Sequence, residues 1–109
     1  MPTTYKVLGQ SAPSATTATT LYTVPSATSA VVSTINVCNR SALNDTFRIA
    51  VRPSGASLAN SHYLAYDTII AANDSISVTI GVSLATTDVI TVYAGTANLS
   101  FTAFGAEIS

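Results

Sequence analysis

Charge is scarce in this chain, because four basic and five acidic residues make up only 8% of its 109 positions, against about 25% in soluble proteins. The basic residues Lys6, Arg40, Arg48 and Arg52 are too few for the cationic stripe that nucleic-acid binding requires. The solvent-exposed surface must therefore consist largely of Ser, Thr and Asn. A net charge of −1 gives little electrostatic protection against self-association. This composition disfavours a nucleic-acid partner and favours a protein that belongs to an assembly.

Cysteine, tryptophan and long apolar runs are also scarce or missing. Cys38 is the single cysteine, which excludes an intramolecular disulfide and a cysteine-based metal site. Because it lies in an apolar strand, we interpret it as a small buried hydrophobe. No apolar stretch approaches the ~20 residues that span a bilayer, and no basic-then-apolar leader follows Met1. We therefore expect no membrane partner, no signal peptide and synthesis in a cytoplasm.

An apolar period of 3.6 residues never persists for three helical turns, and a period of two recurs instead. The clearest case is the stretch from Ser75 to Leu84, in which five aliphatic residues alternate with Ser, Thr and Gly. A strand with one dry face and one wet face is predicted there. Its register is strongly specified, because a slip by one residue would turn every aliphatic side chain to water. We expect this strand to anchor the core.

Short strand patterns separated by turn signals fill much of the remaining chain. They cover residues 4–8, 21–24, 30–39, 46–52, 62–71, 89–94 and 99–108. The pattern at 30–39 favours a strand near the middle of a sheet, doubled apolar residues predict a bulge near Asp67, and residues 89–108 predict a terminal hairpin. The spacing is typical of an all-β protein, a single-domain antiparallel β-sandwich. A jelly-roll topology fits, although periodicity does not determine strand order.

Residues 1–20 differ in composition from the rest of the chain. They hold Pro2, Pro13 and a run of Ser, Ala and Thr that begins at Ser14. Low-complexity polar segments of this kind are typical of flexible arms and loops. We therefore predict an extended N-terminal arm at residues 1–20, with one strand at 4–8, followed by a β-sandwich domain at 21–109.

No catalytic or ligand-binding constellation stands out in the sequence. His62 is the only histidine, and the chain has no Gly-x-Ser-x-Gly elbow for a serine nucleophile. Asp45, Asp67, Asp74 and Asp88 each stand beside a turn or a strand end. Turn capping accounts for them, although calcium binding by carboxylates from different loops stays open. We expect a protein that is not an enzyme and that holds no cofactor.

Two arginines are the candidate interface residues. Arg48 and Arg52 are four positions apart on one predicted strand, so they project from the same face about 13 Å apart. One interpretation is docking onto a carboxylate-bearing partner, since arginine suits bidentate pairing at interfaces. The other is a solvated face, and the sequence leaves both open.

Several segments, read together, resemble small virion proteins of tailed bacteriophages, including cyanophages. The segments are Leu21-Tyr22-Thr23-Val24-Pro25, Val37-Cys38-Asn39-Arg40-Ser41, Phe47-Arg48-Ile49-Ala50-Val51, Tyr66-Asp67, Ala71-Ala72-Asn73-Asp74 and Val92-Tyr93 to Phe104-Gly105. The resemblance spans residues 5–108 and includes no catalytic motif.

The resemblance implies a structural protein of the virion, most specifically a cement or decoration protein on the outside of the capsid. Its expected partners are the major capsid protein and further copies of itself, often in a trimer. Related sandwich domains also occur in tails and baseplates. The alternative function is therefore a tail, baseplate or fibre-associated module that binds host glycan or another tail protein. The absence of tryptophan and the 7% aromatic content count against sugar binding.

Overall fold

The computed structural model describes residues 2–109, which form eight β-strands and two 3₁₀ turns. The strands are β1 (Thr3–Ser11), β2 (Thr19–Thr23), β3 (Ser29–Asn39), β4 (Asp45–Arg52), β5 (Tyr63–Ile70), β6 (Ser75–Leu84), β7 (Val89–Ala94) and β8 (Leu99–Ile108). The 3₁₀ turns, Pro53–Gly55 and Asn60–His62, lie between β4 and β5. Within this part of the chain, neither helical turn has the length needed to cross a membrane.

The strands form two four-stranded antiparallel sheets that pack face to face. The first sheet has the order β1-β8-β3-β6 and the second has the order β2-β7-β4-β5. The first strand therefore pairs with the eighth, the second with the seventh, the third with the sixth and the fourth with the fifth. A long folded-back ribbon rolled into two sheets gives this order, which is the jelly roll. The predicted all-β sandwich is confirmed.

The core lies between the sheets and is made by the inward residues of β3, β8, β4 and β7. Phe47 of β4 and Phe101 of β8 meet edge to face across it, with ring centroids 6.3 Å apart. The strands β3 and β8 each have neighbours on both sides, as do β4 and β7 in the second sheet. These four central strands supply most of the fully buried aliphatic side chains: Val32, Ile35, Val37, Ile49, Ile90, Val92 and Leu99.

Bulges explain why the alternation in several strands is irregular. In β3 the register against β8 shifts between Val32 and Thr34, so both Val31 and Thr34 stand on the outer face while Val32 and Ile35 are buried. In β5 the register shifts at the predicted position, where Asp67 has a left-handed φ of 48°. An extra residue on one strand of a pair changes the phase of the side chains that follow.

The strand from Ser75 to Leu84 forms with the predicted bounds, but it lies at an edge of the first sheet. Its aliphatic row faces inward, and Leu84 is buried. The four residues Ile76, Val78, Ile80 and Val82 are only half-buried, although they pack against the core. The expectation that this strand anchors the core is therefore wrong, because an edge strand has a neighbour on one side only and β3 and β8 occupy the centre.

The segment predicted as an N-terminal arm is paired into the sandwich. Residues Thr3–Ser11 form β1, which pairs with β8 along its length, a longer strand than the one predicted at 4–8. The polar residues that follow lie against the second sheet, where the Thr16 N–H donates a 2.8 Å hydrogen bond to the Ala94 carbonyl. Strand β1 is longer than predicted because β8 has ten residues and offers β1 an edge of that full length to pair with.

The predicted terminal hairpin is wrong. Strand β7 pairs with β2 and β4 in the second sheet, whereas β8 pairs with β1 and β3 in the first. The connection at residues 95–98 therefore crosses from one sheet to the other. Asp45 holds this crossing, because its carboxylate accepts a 2.5 Å hydrogen bond from the Thr96 hydroxyl. Local alternation and turn residues do not distinguish a hairpin from such a crossing.

Candidate functional site

The outer face of the first sheet carries no charged side chain on any of its four strands, all of which belong to the described chain. We call it the neutral face. The registers and the burial alternation place its outward residues at Thr3, Tyr5, Val7, Gln10, Ser29, Val31, Ser33, Thr34, Asn36, Cys38, Ser75, Ser77, Thr79, Gly81, Ser83, Ser100, Thr102, Phe104, Ala106 and Ile108.

One half of the neutral face is apolar. Tyr5 is 84% exposed, and Val7, Val31 and Phe104 are also exposed beside it. These side chains come from three neighbouring strands, since Val7 pairs with Phe104 and Tyr5 pairs with Ala106. Tyr5, Val31 and Phe104 line a shallow depression on this face. Clusters of exposed apolar side chains on a soluble protein mark interaction surfaces.

The other half of the neutral face is hydroxylic. It comprises the wet row of β6 and the adjoining part of β3, where the Asn36 amide donates a 3.1 Å hydrogen bond to the Ser77 hydroxyl. Ser, Thr and Asn side chains can form hydrogen bonds to a partner or to water. A surface of this kind can be covered without burying an ion, which is the costly event in association.

The apolar half of the neutral face has a charged residue at its margin. Lys6 borders the depression, but its ammonium group pairs with Glu107 Oε1 at 3.2 Å. Glu107 Oε2 also accepts a 2.5 Å hydrogen bond from the Tyr22 hydroxyl of the second sheet. This bond lowers the pKa of Glu107, and burial, together with the bond, raises the pKa of Tyr22. The three groups tie the two sheets together at one end of the sandwich.

Arg48 lies on the outer face of the second sheet, as the strand pattern predicted, and is engaged within the chain. Its guanidinium donates to both oxygens of Asp67, at 2.7 and 3.3 Å. It also lies 4.1 Å from the ring centroid of Tyr66 and 4.2 Å from that of Tyr93. The hydrogen bonds to Asp67 raise the pKa of Arg48. This cluster ties the bulge of β5 to the neighbouring strands β4 and β7 of the same sheet.

Arg52 projects from the same face and holds the loop that follows β4. Its Nε donates to the Thr91 hydroxyl at 3.0 Å, and its Nη1 donates to the carbonyl oxygens of Gly55 and Ala56. An interface role for Arg48 and Arg52 stays a prediction. To bind a partner's carboxylate, each guanidinium would have to share or leave the groups that it now contacts.

The remaining candidate residues do not converge. The His62 Nδ1 accepts a 3.1 Å hydrogen bond from the Ala59 N–H, which gives it a role in the 3₁₀ turn. The Asp88 carboxylate caps two loops, because it accepts hydrogen bonds from the backbone N–H groups of Ser54 and Ala85. Across residues 2–109 no three His, Cys, Asp or Glu side chains are grouped as metal ligands would be. Cys38 is half-buried on the neutral face.

The apolar half of the neutral face was missed from the sequence. Tyr5 and Val7 fall in the segment predicted as an arm, and Phe104 was assigned to a hairpin with β7. One signal was present: Val31 and Val32 are adjacent apolar residues in a strand, so one of them has to face outward unless a bulge intervenes. The wet row of β6 was correctly predicted to be uncharged.

No family model, curated protein or solved structure matches this chain. Its function is therefore argued from its own residues and geometry, and the sequence resemblance to virion proteins stays an expectation.

Proposed function

We propose that this chain is a structural protein that docks onto a larger assembly through the neutral face. The observation that carries the proposal is the segregation of charge: the outward side chains of the first sheet are uncharged, while both sheet-surface arginines, Arg48 and Arg52, lie on the second. Docking through the first sheet buries apolar area from Tyr5, Val7, Val31 and Phe104 and leaves ions in water. The second sheet then remains the solvated side.

The assembly that we propose is the shell of a tailed phage, which this chain decorates as a cement protein. The proposed partner is the major capsid protein, and the proposed location is the virion. Support comes from the sequence resemblance and from the jelly-roll topology, which recurs in viral capsid proteins. Fold alone does not assign function. Many weak, neutral contacts repeated over a lattice add through multivalency, and binding only the assembled shell stabilises it.

The Tyr5→Asp variant tests the docking face. Tyr5 is 84% exposed, so we expect the free energy of unfolding to change little. A carboxylate at this position must lose its hydration when the face is covered, and the outward side chains of the first sheet supply no cation to pair with it. We therefore expect binding to purified phage particles to weaken by roughly tenfold or more. Co-sedimentation of the folded variant with particles stripped of the native protein measures this loss.

The matched control is Leu43→Asp, which places the same charge at a comparably exposed hydrophobic position in the β3–β4 loop. Leu43 is 75% exposed and lies outside the neutral face. We expect this variant to bind particles like the unmodified chain. An equal loss of particle binding in both variants would indicate a general effect of net charge. Unchanged particle binding by Tyr5→Asp would contradict docking through the neutral face.

The alternative function, a tail or fibre module that binds host glycan, has one observation in its favour. Tyr63 and Tyr66 lie together on β5 and line a shallow pocket with Asn60. Aromatic rings beside amide groups can support sugar binding, but Arg48 already stacks on Tyr66. Binding of the isolated chain to host-cell polysaccharide, lost in Tyr66→Ala and kept in Tyr5→Asp, would favour this alternative.

A further inference from the structure

The four free sheet edges of the described chain are not equally protected against pairing with another strand. Strand β2 has only five residues, and Pro25 follows it closely. Strand β5 is broken by two register shifts, and its Asp67 has a left-handed backbone. Strand β1 carries Lys6, has a bulge next to Gly9 and lies against β2 at that glycine. Short edges, charges and bulges are the ways in which proteins prevent edge-to-edge pairing.

Strand β6 has the least of this protection. It is ten residues long and contains neither proline nor a charged side chain. Its one interruption is a register shift beside Gly81, which has a φ of 56°. On the side away from β3, β6 has no neighbouring strand among residues 2–109. It therefore presents a long row of backbone donors and acceptors to a strand from outside.

The inward side of β6 also needs further cover. Its aliphatic row from Ile76 to Val82 packs on the core but is only half-buried. Strand β5, the edge strand of the opposite sheet, is irregular and mostly exposed, so it does not close this side of the sandwich. A strand added beside β6 would extend the first sheet and cover this apolar row, which is continuous with the core.

The sequence of β6 makes a second copy of β6 the best occupant. Antiparallel pairing across a two-fold axis can place Ile and Val opposite Ile and Val, and Ser and Thr opposite Ser and Thr, with no like charges in contact. A ten-residue strand is about 33 Å long, and the molecule is 19 Å deep in its smallest dimension. The side of the sandwich thus offers on the order of 600 Å² in projection, near the ~800 Å² per partner of stable interfaces.

We propose that two copies of this chain pair through β6, so that their first sheets form one eight-stranded sheet across a two-fold axis. The proposal concerns the chain in solution and does not depend on the virion role. It differs from the trimer that the sequence resemblance implies.

Sedimentation velocity of the full-length chain over a micromolar concentration series tests the pairing, and we expect a monomer–dimer equilibrium. The Thr79→Lys variant brings two like charges together at the paired edge, so we expect its dimer dissociation constant to rise by roughly tenfold or more. The matched control is Thr3→Lys in β1, at the other edge of the same sheet. Thr3 and Thr79 are both exposed, and we expect Thr3→Lys to dimerise normally.

Backbone hydrogen exchange of the unmodified chain gives a second readout that does not depend on a variant. Amides of β6 are expected to exchange more slowly as the protein concentration rises, whereas amides of β1 are expected to keep the same rates. A chain that stays monomeric at 100 µM overturns the proposal, as do a trimer or equal weakening by Thr3→Lys and Thr79→Lys. Slower exchange in β1 instead of β6 would also overturn it.

Discussion

Replacing Gly105 by alanine is expected to lower the free energy of unfolding by about 3 kcal/mol, whereas the same change at Gly81 is expected to cost about 1 kcal/mol. Gly105 lies in β8 opposite Val32 of β3. A Cβ at this position would overlap the Val31 carbonyl oxygen and lie 3.0 Å from the Val31 carbonyl carbon and the Val32 Cα. All three are backbone atoms of a central strand that is paired on both sides, so they cannot move without breaking a ladder.

Gly81→Ala is the matched control because it adds the same methyl group to a residue of the edge strand β6. It has a φ of 56°, which costs alanine conformational energy, but a Cβ there meets no atom of the described chain within 4 Å. Urea denaturation of the two variants and the unmodified chain gives the free energies. Equal costs at the two positions would contradict the close approach of β8 to β3 and, with it, the geometry of the neutral face.

The second large effect is expected at Asn39, the buried end of β3. Its amide donates to the carbonyl oxygens of Leu43 and Ala71 at 2.8 and 3.2 Å, and its carbonyl oxygen accepts from the N–H and hydroxyl of Ser41. One side chain thereby joins the β3–β4 loop to the β5–β6 turn. In Asn39→Ala these groups lose their partner in a site that is 1% exposed, and we expect a loss of about 3 kcal/mol.

The control for Asn39 is Asn36→Ala, three residues earlier on the same strand. Asn36 is half-buried on the neutral face, and its amide makes one hydrogen bond, to the Ser77 hydroxyl. We expect a cost of about 0.5 kcal/mol there. Thermal denaturation compares the two, since 3 kcal/mol corresponds to a fall in Tm of roughly 15 °C for a domain of this size. A similar small shift for both variants would show that Asn39 does not hold the two loops together.

Much of the fold was predictable because the strands alternate. Phe47, Ile49 and the aliphatic row of β6 all face inward, as their period of two predicted. The β-branched content of residues 30–39 correctly predicted that β3 lies near the middle of its sheet. How regularly a strand alternates, however, does not report its position in the sheet. The most regular pattern belongs to the edge strand β6, whereas the central strand β3 has a bulge and reads as irregular.

The candidate site was only partly predictable, since it is assembled from strands that are distant in sequence. Tyr5 and Phe104 are almost a chain length apart and become neighbours only because the first strand pairs with the last. Their role depends on this pairing, which no local pattern reports. By contrast, Arg48 and Arg52 were placed correctly on one face, but the sequence did not reveal that Asp67 and two tyrosine rings would engage Arg48.

The most direct test of docking through the neutral face is a cryo-electron-microscopy map of the intact phage particle that the chain is proposed to decorate. We predict density for this fold on the outside of the shell, with Tyr5 and Phe104 covered by the major capsid protein and the Arg48 cluster facing solvent. A chain that contacts the shell through Arg48 and the outer face of the second sheet, or a particle that lacks the chain, would contradict the account.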